Sequence, residues 1–251
     1  MIDLSISIVA YNDESDVKKA VESIERCTPL LLSKKIFIVD NSTADNGIEN
    51  LSKEYGDVCY IKTGANLGFG KGHNLVLPKL DSKYTAIVNP DIILTSDAFT
   101  PLIKFMEETD AGMCVPRITD EDGTLLKVYR RELTPFDMFI RMFVKIGFKK
   151  RKAYHTMQDM DYDKPFRVPF AQGSFLLIKT ELYKRIGGFD ERFFLYMEDA
   201  DLCKRVNAES KLLYCPYAAV IHKWNKGSHK SLKLFACHVK SCFKYFKKWR
   251  G

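Results

Sequence analysis

Five short β-prone apolar runs, at residues 4–10, 36–39, 58–61, 85–88 and 113–115, alternate in the first half of the chain with segments of helical periodicity. Alternation of this kind yields a mainly parallel, twisted sheet covered by helices on both faces, so the expected fold class is α/β. In the first helical segment Asn12 or Asp13 can act as the cap, and Val17, Ala20, Val21 and Ile24 share one face up to Arg26. Asp97 can start another helix carrying Phe99, Leu102, Ile103 and Met106.

With 251 residues, 46% of them hydrophobic and 28% charged, the chain can bury the core of one large domain. Its seven cysteines are scattered and form no C-x-x-C, which suggests neither a disulfide framework nor a zinc site and fits a reducing compartment. The first ten residues include Asp3 and only a short apolar run, and no uninterrupted apolar stretch approaches a bilayer span. A soluble, cytoplasmic chain is expected. The formal net charge of +7 suits an anionic partner: a nucleotide, a nucleic acid or an acidic membrane surface.

Polar or glycine-rich turns follow the strands: Tyr11-Asn12-Asp13, Asp40-Asn41-Ser42, and the loop from Gly64 through Asn66, Gly68 and Lys71 to Asn74. In a parallel sheet these turns share one edge, where such sheets bind their ligands. A helix beginning near Gly72 would aim free amides at that crevice and favour a diphosphate, although glycines also simply permit a tight turn. The loop is neither a dinucleotide fingerprint nor a Walker A motif, which argues against a Rossmann oxidoreductase.

The stretch YTAIVNPDIIL ends a buried strand at Asn89, because Pro90 has no amide to donate, and presents Asp91 at the strand's carboxyl end. This is either an ordinary Asn-Pro-Asp turn or a placed carboxylate. Residues 123–165 have weak strand signals and a basic run with Arg141, Lys145, Lys149, Lys150, Arg151 and Lys152, and resemble an insertion. Strands at 174–178 and 217–221 follow, the latter ending at His222. Glu198, Asp199 and Asp201 crowd together, and carboxylates so close raise one another's pKa, which is how a general base is made. The alternative is an acidic first helical turn, with Asp201 and Arg205 as a helix-spaced ion pair. That alternative suffices for Asp201 and leaves Asp199 as the candidate base.

Taken in order, SIVAYN, IVDNS, NLGFGKGHN, IVNPD, AQGSFLLI, GGFDERFFLYMEDADLCKR and AVIH closely resemble the family-two glycosyltransferases of the GT-A fold, over roughly residues 4–229. The N-P-D motif with GGFDE and EDxDL is most similar to the rhamnosyltransferase-like branch, which extends O-antigens, capsules and cell-wall glycans. The resemblance implies a divalent metal, manganese or magnesium, held by Asp91 and His222, with Asn89 where the family carries a second aspartate. An imidazole ligand tilts the preference towards manganese, and His222 without metal is the alternative. It further implies Asp199 as the base of a single inverting displacement. Donor contacts would come from Tyr11 and Asn12 lining the nucleotide pocket, Asp40 at the base, Asn66, Gly68 and Lys71 near ribose or phosphates, Asn89 beside the metal, and Gln172 and Gly173 at the sugar. Asp190 and Glu198 fall on the acceptor side. The implied partners are a nucleotide-diphospho-sugar, with dTDP-rhamnose, UDP-hexose and a furanose donor all open, and a saccharide acceptor on a polyprenyl lipid. A degenerate, non-catalytic nucleotide-sugar binder also stays open, because Asn89 replaces a carboxylate.

The expected organisation is a catalytic domain at 1–228, with 123–165 shaping the acceptor side, and a basic amphipathic helix at 229–251. From Lys223 onwards there are nine Lys or Arg residues and no acid. That tail could pack on the domain through Leu232, Phe235, Val239, Phe243 and Phe246, lie on anionic lipid at the inner face of the plasma membrane, or, as a remote alternative, bind nucleic acid.

Overall fold

The computed structural model describes residues 1–144, 146–223 and 232–250. Lys145 and the expected boundary at 228/229 lie outside the described residues. The first half runs β1 (Ile2–Ala10), α1 (Glu14–Cys27), β2 (Lys34–Asp40), α2 (Leu51–Glu54), β3 (Val58–Lys62), α3 (Phe69–Asn74), β4 (Ser82–Val88), β5 (Ile92–Ile93), α4 (Phe99–Thr109) and β6 (Met113–Thr119). The second half runs α5 (Pro135–Phe143), α6 (Lys149–His155), β7 (Phe166–Arg167), β8 (Phe175–Lys179), α7 (Thr180–Arg185), α8 (Glu198–Glu209), β9 (Leu212–His222) and α9 (Leu232–Lys248).

One sheet has the order β3-β2-β1-β4-β8-β6-β9-β5, with β7 on β9. β1 to β4 are parallel, as the βα rhythm predicts. Beyond β4 the sheet is mixed: β8 runs antiparallel to β4 and β6, while β9 is parallel to β6. The reversal follows from where β8 starts, at the edge where the parallel strands end, so it can only run back against them. Leu4, Ile6 and Ile8 of β1 are fully buried in the middle of the sheet, and Val17, Ala20, Val21 and Ile24 of α1 pack inward as their spacing predicts.

Chain order reverses between β1 and β4, which lie side by side, so their trailing turns flank a crevice at a topological switch point. Asp97 caps α4, its Oδ1 accepting from the amides of Phe99 and Thr100 at 3.0 and 3.1 Å. Asp13 precedes α1 without making a side-chain cap bond.

Residues 123–165 fold into more helix than their pattern suggested. A usable signal is present in Thr134-Pro135-Phe136-Asp137: the Thr134 hydroxyl accepts the Asp137 amide at 3.1 Å, and proline occupies the first turn of α5. The tail's α9 is docked on the domain. Lys248 reaches Asp190 and Asp201 at 2.8 and 2.6 Å, Trp249 Nε1 donates to Asp201 at 2.9 Å, and Ser241 Oγ donates to the Leu195 carbonyl at 2.9 Å. The buried face of α9 carries Ser241, Cys242 and Tyr245, whereas Leu232, Phe235 and Phe243, expected to pack, are exposed, because the ion pairs of Lys248 and the Trp249 bond turn the other face inward. All seven cysteines are free thiols, and no helix among the described residues is long and apolar enough to cross a membrane.

Candidate active site

The turn after β4 is fixed by backbone bonds at each end. Asn89 N donates to Ser174 O at 2.9 Å, and the Asp91 carbonyl accepts from Lys223 N at 2.9 Å. β5 pairs with β9 so that Ile92 faces His222, which sets the imidazole beside the preceding residue, Asp91. His222 Nε2 lies 3.1 Å from Asp91 Oδ2, and the ring is buried. Two residues 131 positions apart in sequence therefore meet because a two-residue strand closes on the last strand of the sheet.

Asp91 Oδ1 and Asn89 Oδ1 are buried and have no hydrogen-bond partner. Buried oxygens without a donor call for a cation or water. A carboxylate, an amide oxygen and an imidazole form a donor set that manganese or magnesium accepts when phosphate oxygens and water complete the shell. These residues fit a divalent ion. Asp13 lies within electrostatic reach: burial first, then Asp16 and Asp91, push its carboxyl pKa up. Its helix-cap position in the sequence hid that placement.

Across the crevice, Tyr196 and Met197 both have left-handed backbones, at φ 68° and 71°, and deliver Glu198 and Asp199 into the first turn of α8. Neither residue is glycine, so this turn is strained. Asp199 accepts from Ala200 N at 2.8 Å and from Gly173 N at 3.2 Å. Burial raises its carboxyl pKa against those two bonds. Glu198 is buried more deeply; burial, then the Asp199 charge, push it up to about 8, so it is largely protonated at neutral pH. Glu198 Oε2 and Gln172 Oε1 are buried without partners. The tripeptide Gln172-Gly173-Ser174 thus touches both sides, Gly173 N holding Asp199 and Ser174 O holding the Asn89 amide.

The glycine-rich loop differs from expectation. α3 starts at Phe69, spans six residues, and its first amide donates to Phe194 O at 3.2 Å. Gly68 has φ 83°, and a Cβ there would stand 2.1 Å from Phe194 O, so close backbone approach fixes this glycine. Asn66 Oδ1 accepts the Gly68 amide, and Asn41 Nδ2 donates to the Gly68 carbonyl, both at 3.0 Å. Lys71 lies 3.8 Å from Glu191 on the surface. Tyr11 is exposed at the end of β1, and Asn12, left-handed at φ 59°, donates its amide to Ser42 Oγ.

Asp40 is fully buried at the end of β2. Burial works against its charge, yet bonds from Ser42 N, Lys62 Nζ and Tyr60 hold its pKa low. Its carboxylate organises this turn, and a base contact would have to exchange one of those bonds. Asp190 is likewise engaged, by Arg192 at 2.5 Å and Lys248 at 2.8 Å, which hold its pKa far below the usual value. Asp201 pairs with Arg205 at 2.8 Å, as their spacing predicts. The structure thus brings together Asn89, Asp91, His222, Gln172, Gly173, Glu198 and Asp199. It commits Asp190 to α9 and Asn66 to its own loop.

The family model for glycosyl transferase family 2 matches residues 5–187. This chain belongs to that family. The family-2 chain is 29% identical over 257 residues to the rhamnosyltransferase WbbL of Escherichia coli (strain K12), covering 98% of this chain and 93% of that protein. It is 27% identical over 259 residues to the N-acetylglucosaminyl-diphospho-decaprenol L-rhamnosyltransferase of Mycobacterium tuberculosis (strain ATCC 25618 / H37Rv), covering 96% and 82%. Among solved structures it matches GalNAc-T7 with UDP, GalNAc and Mn2+ at a TM-score of 0.72 and 18% identity, covering 99% of this chain and 48% of that one. The mannosyltransferase PcManGT of Pyrobaculum calidifontis, in complex with GDP-Man and Mn2+, matches at 0.66 and 14%, covering 99% and 66%. This family-2 chain thus spans about half the length of the first structure and about two thirds of the second. Those two likenesses show the GT-A fold, and the family makes the chain a glycosyltransferase.

Proposed function

We propose that this glycosyltransferase moves a sugar, with L-rhamnose from dTDP-rhamnose the best candidate, to a saccharide acceptor carried on a polyprenyl lipid, with inversion, in the synthesis of a bacterial surface polysaccharide. The observation that carries this reading is the pair of partnerless buried oxygens, Asn89 Oδ1 and Asp91 Oδ1, next to His222 and joined through residues 172–174 to Asp199. Similarity to two rhamnosyltransferases supports the sugar, and the N-acetylglucosaminyl-diphospho-decaprenol that one of them is named for supports a lipid-linked diphosphate acceptor.

Asn89, Asp91 and His222 would hold manganese or magnesium, which when bound offsets charge on a departing diphosphate. Asp199 accepts the proton of an acceptor hydroxyl as that oxygen bonds to the anomeric carbon and the carbon–oxygen bond to the diphosphate breaks. Gly173 N orients the carboxylate for this step, and burial keeps its basicity up. Residues 172–174 line the space between the two sides, and the Tyr11-Asn12 turn closes the nucleotide end. A lipid-linked acceptor also gives the basic, docked α9 a place against anionic lipid at the inner face of the plasma membrane.

Calorimetric titration against a panel of nucleotide sugars, each with manganese, magnesium or chelator, tests the proposal. Binding of one donor that requires metal is the expected result. Binding that ignores the chelator, or no binding to any donor, overturns the assignment of Asp91 and His222 and favours a non-catalytic binder.

A further inference from the structure

A cavity of about 230 Å³ opens between α5 and α6, lined by Arg130, Arg141, Arg151, Lys152, Asp137 and His155 among others, and two of these arginines act electrostatically on Asp199. Four cationic side chains face a single carboxylate there. That carboxylate, Asp137, is already bound by Arg151 at 2.6 Å and by the Thr134 hydroxyl at 2.5 Å. Lys152 donates to the Val144 carbonyl at 2.7 Å. His155 stands 4.0 Å from Asp137 and is kept neutral chiefly by burial.

Arg130 and Arg141 are different. Among the described residues neither guanidinium has an ion pair or a hydrogen bond. Arg130 is half-buried, and burial followed by repulsion from Arg141 pushes its pKa down. Arg141 keeps solvent contact across the cavity. Both act electrostatically on Asp199, favouring its charged form. Arg130, half-buried and repelled by Arg141, lacks an anionic partner among the described residues, and the exposed Arg141 beside it is free to share one. Their planar forks suit the paired oxygens of phosphates, and the surplus of positive charge suits a polyanion.

We propose that Arg130 and Arg141 form a diphosphate-binding subsite that holds the anionic linker of the acceptor, placing the attacking sugar of a sugar-diphospho-lipid against Asp199. This rests on the reading of Asp199 as the residue facing the acceptor. It adds a specificity: an acceptor whose sugar is attached to a neutral group loses its anchor. Arg151, tied to Asp137, and Lys152, tied to the helix connection, supply background charge rather than forks.

Farnesyl diphosphate, inorganic pyrophosphate and farnesol are titrated calorimetrically into the full chain with chelator present, so that metal-dependent donor binding is silent. Wild type and Asp91→Asn are expected to bind the two diphosphates alike, whereas Arg130→Gln/Arg141→Gln weakens both by roughly a hundredfold, about tenfold for each charge-assisted fork removed. Arg141→Lys, which keeps the charge, is expected to bind more tightly than Arg141→Gln, and a wild-type melting temperature for the double variant excludes a folding defect. Tighter binding of farnesyl diphosphate than of pyrophosphate assigns the subsite to a lipid-linked source, and equal affinity assigns it to a free diphosphate. Unchanged affinity in the arginine double variant overturns the proposal, as does farnesol binding equal to that of farnesyl diphosphate. An equal loss in Asp91→Asn overturns it too, because the diphosphate is then in the donor site. Donor titration on the same preparations separates the two readings, since a failed donor site leaves the arginine subsite measurable.

Discussion

Replacing Asp201 with alanine is expected to lower the melting temperature by about 6–20 °C, although the residue lies outside the reacting centre. Its carboxylate is completely buried and accepts three bonds: Arg205 Nε at 2.8 Å, Lys248 Nζ at 2.6 Å and Trp249 Nε1 at 2.9 Å. Lys248 keeps a second carboxylate, Asp190, when Asp201 is lost. Arg205 does not: it keeps only the Ile186 carbonyl, and its Nη2 is already buried without a partner. Removing one side of a buried ion pair costs about 3–5 kcal/mol, and for a domain of this size each kcal/mol moves the midpoint by about 2–4 °C. Asp201→Asn, which can still accept the indole N–H, is expected to fall between wild type and alanine. Calorimetric melting supplies the midpoints, and limited proteolysis reports release of α9 as early cleavage after residue 231. A midpoint for Asp201→Ala within about 2 °C of wild type, with the C-terminal segment equally protected, would refute the claim that this carboxylate anchors α9.

Asp199→Asn is expected to lower kcat by about 10²- to 10⁴-fold while leaving donor affinity unchanged. Because burial raises the Asp199 pKa, wild-type turnover should fall as pH drops through that raised value and protonates the base, and this acid limb should vanish from the residual rate of the variant; wild-type turnover in Asp199→Asn would exclude it as the base. Gly68→Ala should destabilise the fold far more than Gly64→Ala: both glycines are left-handed, at φ 83° and 72°, but only at Gly68 does the new Cβ meet backbone, 2.1 Å from Phe194 O. Gly64→Ala should cost only about 1–2 kcal/mol of backbone strain, and equal denaturant midpoints for the two would discard the close-approach argument.

The parallel strands and the helices α1 and α4 were legible because each carries its own period, as at 4–10 and at Val17, Ala20, Val21 and Ile24, whereas the short α2 and α3 carry too few residues to show one. Asp91 was legible because proline punctuates the strand just before it. The juxtaposition of Asp91 with His222 came only through resemblance, since nothing local says that a two-residue strand will pair with β9. Arg130 gave no periodic or motif signal, and Asp13 gave only that of a helix cap; the roles of both depend on which elements come to lie beside them. Asp190 shows the opposite case: a residue placed on the acceptor side by resemblance is consumed by Arg192 and by Lys248, an ion pair that the sequence separation of 58 residues conceals.

The left-handed pair Tyr196 and Met197 has a consequence for evolvability. Backbone strain of this kind costs on the order of 1–3 kcal/mol at each residue, and glycine relieves it. A library randomised at these two positions and selected only for heat resistance should therefore accumulate glycine, loosening the turn that leads into Glu198 and Asp199. Selection for turnover on the same library would pull the other way, since Met197 is buried and the Tyr196 ring lies 4.6 Å from that of His238 on α9. These two codons are where robustness and rate compete in this chain, and where a thermostabilised descendant would first trade one for the other.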